Sequence, residues 1–155
     1  EQNSDETKVA LCNEAIKLTK VELSHNSEEF LVSEDIEMRV EYHKKTDMVV
    51  DLVIYVRNKF GDALTDCEIY RTTHRPQIEP QGHYGFNITI PKHFLNVGKY
   101  FVKLAFGNGK QDLLVVESAI SFRVLPDEWE KDKLWNQNPV VPVRPQLRWE
   151  KERLS

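Results

Sequence analysis

Cysteine is nearly missing from this chain, which holds two in 155 residues, Cys12 and Cys67. A secreted domain of this size rarely relies on one such distant pair, so both thiols are expected reduced, in line with a cytoplasmic protein. Positive charge is short as well: 21 Lys and Arg against 25 Asp and Glu leave a net charge of −4. Nucleic-acid partners select a basic surface that releases counterions, so none is expected. Long apolar runs are lacking too. The longest, residues 48–56, contains Asp51 and is far too short to span a bilayer, so no direct membrane insertion is expected. Glycine is scarce, six in all, and is expected at turns rather than in a phosphate-cradling loop. No G-x-S-x-G or H-E-x-x-H motif occurs. The five histidines, His25, His43, His74, His83 and His93, have no metal-ligand spacing. His74 and His83 flank one loop, but a zinc site needs further ligands. The expectation is therefore no catalytic residue, no metal and no cofactor. The chain opens on Glu1 rather than Met and has no signal-type segment, so an N-terminal portion is expected to have been removed.

What is present is alternation. Residues 16–23 place Ile16 and Leu18, then Val21 and Leu23, on one side, and the shift of phase predicts a strand with a bulge. After the loop S-H-N-S-E-E, residues 36–43 alternate Ile36, Met38, Val40 and Tyr42 with Glu37, Arg39, Glu41 and His43, a half-buried strand. Residues 48–57 are more continuously apolar, as in a central strand covered on both faces. Gly61 supplies the tight turn after it. Further strands are expected at 63–73, 83–90, 100–106, 113–116 and 119–125, with Pro91 as a stop and G-N-G-K as a hairpin turn. An N-I-T sequon at Asn87 falls inside one of them and reads as accidental. Short strands at near-regular spacing predict an antiparallel β-sandwich of immunoglobulin or jelly-roll type. Its core is expected to hold Met38, Val40, Leu52, Ile54, Val56, Phe86, Ile88, Val102, Leu104 and Phe122. The division is residues 1–13 as a lead-in, 14–125 as the sandwich and 126–155 as an extended tail.

Two polar or aromatic groups stand out. Tyr70, Thr72, His74 and Arg75 follow one another along a strand end, and Tyr55 and Arg57 point outward if Leu52, Ile54 and Val56 point in. Planar hydrogen-bonding groups beside an aromatic face suit a pyranose, whose hydroxyls need partners and whose C–H face needs cover. The competing readings are a solvated strand end and a cross-strand packing pair. The tail carries all three tryptophans, Trp129, Trp135 and Trp149, around a proline-stiffened N-P-V-V-P-V-R-P. Either it covers the edge of its own sandwich, or Val143, Arg144, Pro145, Leu147 and Trp149 add a strand to a second copy.

The runs I-K-L-T-K-V-E-L, F-L-V-S-E-D-I-E-M-R-V with Ser33 and Glu34 in a turn, V-I-Y-V-R-N-K-F-G, I-P-K-H-F-L-N-V-G-K-Y, A-I-S-F-R-V and V-R-P-Q-L-R-W follow in that order over residues 16–149. In this order and spacing the chain resembles the C-terminal carbohydrate-binding domain of Wzt-type ABC transporter ATP-binding subunits, which export polysaccharides such as O-antigen. The resemblance implies a β-sandwich that dimerises by exchanging its C-terminal strand. It also implies an ATP-binding domain upstream, and thus a full-length transporter ATPase subunit. The partners implied are a membrane-spanning exporter subunit and a bacterial polysaccharide bound at its non-reducing end. The location implied is cytoplasmic, at the inner face of the bacterial inner membrane. The E-I-Y-R-T-T element holds Thr72-Thr73 where family members often show Asn-Thr. The alternative is a structural or dimerisation domain of a glycan-processing enzyme, with no sugar affinity of its own.

Overall fold

Strands such as residues 36–44 are apolar on one face and polar on the other, so apolar faces have to meet. The structure, a computed structural model, describes residues 13–68, 79–128, 143, 148 and 150–153, and of 65–68 the backbone alone. Among these residues eight strands follow in order: β1 Ile16–Leu23, β2 Glu29–Leu31, β3 Ile36–Lys44, β4 Asp51–Asn58, β5 Ala63–Glu68, β6 Gly82–Ile90, β7 Gly98–Gly107 and β8 Asp112–Leu125. They form a three-stranded sheet, β1–β3–β6, and a five-stranded sheet, β2–β8–β7–β4–β5. Pairing is antiparallel except that β2 runs parallel to the end of β8. The all-β sandwich read from the sequence is therefore present, and its strand order is that of the immunoglobulin fold.

The core lies between the sheets. Val40 from β3 and Val102, Leu104 and Phe106 from β7 are each 0% exposed. Tyr42 stacks on Phe86 at 5.9 Å between ring centroids and tilts against Phe106 of the other sheet at 4.9 Å. The segment I-P-K-H-F-L-N-V-G-K-Y is the crossover from β6 in one sheet to β7 in the other. In it Leu95 is buried, and the buried Tyr100 hydroxyl donates to Asn96 O at 2.7 Å. A tyrosine near the start of this strand, bonded a few residues back, is a hallmark corner of immunoglobulin-type sandwiches. Gly61 (φ 85°) and Gly109 (φ 84°) take the left-handed conformation at the β4–β5 and β7–β8 turns.

The bulge expected in β1 lies between Leu18 and Lys20. Elsewhere the sequence reading needs correction. β4 begins at Asp51, leaving Met48 exposed, and it is not covered on both faces: Leu52, Ile54 and Val56 are buried while Val53, Tyr55 and Arg57 are half-buried. The strands expected at 113–116 and 119–125 are one, β8, with a bulge in which Glu117, Ser118 and Ala119 stand opposite Lys103. β2 falls where a loop merged into a turn was expected, because a three-residue strand is too short to show alternation. Phe86 and Ile88, expected in the core, are half-buried because β6 is the edge of its sheet.

Candidate functional site

At Leu23 the chain has to change sheets, since β1 pairs with β3 and β2 pairs with β8. It does so through a 3-10 turn, Ser24–Asn26, with His25 at φ 58° and Asn26 at φ 49°. Left-handed backbone outside glycine costs of order 1–3 kcal/mol and tends to persist at functional sites; asparagine tolerates it better than most. As β1 departs, a cavity of about 550 Å³ opens on the outer face of the three-stranded sheet. Its floor is the rung Leu23–Met38–Ile88, in which Leu23 and Met38 are buried in the core and the half-buried Ile88 packs against it. Around it stand Glu22, Arg39 and Asn87 from one rung, Glu37 and Thr89 from the next, and the turn residues 24–26.

Arg39 is the fixed group of this face. Its Nε donates to Glu41 Oε1 at 3.0 Å and its Nη1 to Asn87 Oδ1 at 3.1 Å. Gly85 makes room for it: a methyl group there would collide with the guanidinium. The Glu41 carboxyl is held below its ordinary 4.5, first by the hydrogen bond from Arg39 and then by the charges of Arg39, Lys20 and His83, against opposing desolvation. Beside it the His43 and His83 rings stack at 4.4 Å, and His83 Nε2 lies 3.2 Å from Thr19 Oγ1. The face thus presents guanidinium, amide, carboxylate and imidazole groups side by side, joined through Glu41, which lies 3.0 Å from Arg39 and 3.8 Å from His83. Among the described residues no three His, Cys, Asp or Glu gather as metal ligands.

Of the residues singled out from sequence, Tyr55 and Arg57 do point outward, but from the five-stranded sheet. There Lys103 Nζ lies 5.4 Å from the centre of the Tyr55 ring. Glu117, carried by the β8 bulge, accepts from Arg57 Nη1 at 3.4 Å and pairs with Lys103 Nζ at 3.3 Å. Tyr55 stands directly opposite Lys103, so the cross-strand packing reading describes these contacts. Tyr70, Thr72, His74 and Arg75 lie outside the described residues, as do Cys12, Trp129, Trp135, Arg144, Pro145, Leu147 and Trp149. Val143 is described, in an isolated antiparallel bridge to Leu95. Ser33 and Glu34 do sit in a turn: Glu34 N donates to Leu31 O, and Ser33 Oγ bonds the buried Asp127 at 2.6 Å. Among the described residues no helix is long and apolar enough to cross a membrane.

Sequence reasoning passed over the cavity. It took Glu37, Arg39 and Glu41 as a solvated strand face and the Asn87 sequon as accidental. The available signal was an Arg-x-Glu pair on one strand with a Gly-x-Asn pair on another, which gains meaning only when β3 and β6 are known to pair.

No family model matches this chain, and no curated protein matches it. Solved structures similar to it include the β-D-mannosidase of Dictyoglomus thermophilum, at 13% identity and a TM-score of 0.48, covering 71% of this chain and 13% of that one. Another is the CARDB domain of the PF1109 protein of Pyrococcus furiosus, in complex with di-metal ions, at 13% identity and a TM-score of 0.44, covering 75% and 99%. A third is the β-glucosidase of Listeria innocua in complex with isofagomine, at 10% identity and a TM-score of 0.42, covering 72% and 16%. This chain spans 13% and 16% of the lengths of the two glycosidases. With TM-scores below 0.5, these likenesses carry no argument about function.

Proposed function

We propose that this chain is a non-catalytic glycan-recognition domain of a polysaccharide ABC exporter of the Wzt type, acting as a homodimer in the cytoplasm beside the inner membrane. The observation that carries the reading is the cavity beside Arg39. Paired hydroxyls on a sugar ring call for planar groups held in fixed orientation, and Arg39, Asn87, Glu22 and Glu37 supply four around one depression. The ordered run of motifs from 16 to 149 supports the exporter context, and one of its three most specific pieces coincides with the β6–β7 crossover and the tyrosine corner. Binding is weak by design. A domain that releases its cargo has no use for nanomolar affinity, and each hydrogen bond to a hydroxyl displaces one to water.

The test is isothermal titration with the surface polysaccharide of the source organism. Arg39→Ala is expected to weaken binding by about tenfold or more, the scale of a lost charge-assisted hydrogen bond and its positioning. Tyr70→Ala combined with Arg75→Ala decides whether the sequence-derived set Tyr55, Arg57, Tyr70, Thr72, His74 and Arg75 forms the contact face instead. Absence of binding at millimolar glycan overturns the recognition reading and leaves the dimerisation alternative.

A further inference from the structure

The charges around the cavity narrow the class of sugar, an inference that rests on the glycan reading above. Four ionisable side chains line it: Glu22, Glu37, Arg39 and His25, the last counted as neutral at pH 7. Arg39 is paired with the Glu41 carboxylate and bonded to Asn87, so its charge is already matched within the sheet. Glu22 lies 3.4 Å from Lys20. Among the described residues Glu37 has no ion-pair partner, and it stands exposed opposite Thr89. The local balance is therefore one uncompensated carboxylate, in a chain whose net charge is already −4. The carboxylates of Glu22 and Glu37 accept hydrogen bonds and donate none, so they match hydroxyl or ammonium groups.

We propose that this cavity takes a sugar residue that presents hydroxyl or amino donors and carries no acid group, so that uronate- or phosphate-bearing glycans are rejected. A like charge held about 4 Å from Glu37 lowers affinity by about fivefold even at the dielectric of water, and by more where the sheet excludes solvent. Rejection of this kind is a specificity device, since the same acceptors that attract hydroxyls repel acids.

The experiment titrates the 155-residue chain with a panel of bacterial surface oligosaccharides sorted as neutral, free-amine-bearing and uronate- or phosphate-bearing, at low and high salt. Neutral or amine-bearing probes are expected to bind at least about fivefold more tightly than acidic ones at low salt. High salt and Glu37→Gln, an exposed substitution that leaves the core untouched, should each narrow that gap. Acidic probes that bind as tightly as neutral ones, or a gap unmoved by Glu37→Gln, overturn this inference and leave glycan recognition standing. Failure of every class to bind overturns both.

Discussion

Arg39 shows how much of the candidate site depends on a side chain that is not there. Its guanidinium crosses the space above Gly85, a strand position with ordinary extended backbone where alanine is normally the better residue. Gly85→Ala is thus expected to keep or slightly raise the melting temperature while displacing Arg39 from Asn87 and weakening glycan binding by about tenfold. Thermal melts and titration on the same preparation separate the two effects, and loss of fold together with binding would count against the positioning role. Glu41 makes a pH prediction at the same scale. Its pKa is depressed in the folded state, so its contribution is present above the ordinary value of 4.5 and is lost as pH falls through the lower folded value. Urea midpoints of Glu41→Gln should fall below those of the native chain at neutral pH and converge with them in acid. An unchanged difference across that range would remove the ion pair from the account.

At the scale of elements, the devices that shape the sheets sit where they change sheets or bend. The 3-10 turn Ser24–Asn26 moves the chain from the three-stranded to the five-stranded sheet, and the β6–β7 crossover makes the same change of layer later in the chain. The corner bond from Tyr100 to Asn96 fixes the second of these from inside the core. Tyr100→Phe keeps the ring and its stacking on Phe122 but loses the bond, so a destabilisation of about 1–2 kcal/mol is expected by chemical denaturation. A neutral substitution would reduce the corner to packing. Strands with long alternation, such as Ile36–Lys44 and Gly98–Gly107, were legible residue by residue. Those defined by a partner were not: β2 is three residues long, and the join within β8 depends on the bulge opposite Lys103.

For the whole molecule, the tail decides between a domain that closes on itself and one that closes on a second copy. Val143 pairs with Leu95 in the crossover, at the rim of the core. The bridge found here lies within one chain, and the same antiparallel contact would serve between two in the proposed dimer. If the proposed homodimer forms through this tail, deleting residues 143–155 should yield monomer or insoluble protein, read by light scattering. A soluble dimer that survives the deletion would exclude the exchanged strand. What the sequence by itself determined is the class of fold, because period-two burial, turn glycines and strand-stopping prolines are local properties that each segment carries alone. Tertiary structure alone decided where a site stands. Arg39, Gly85 and Asn87 are ordinary residues on two strands about 46 positions apart, and only the β3–β6 register lays the guanidinium over the glycine and against the amide.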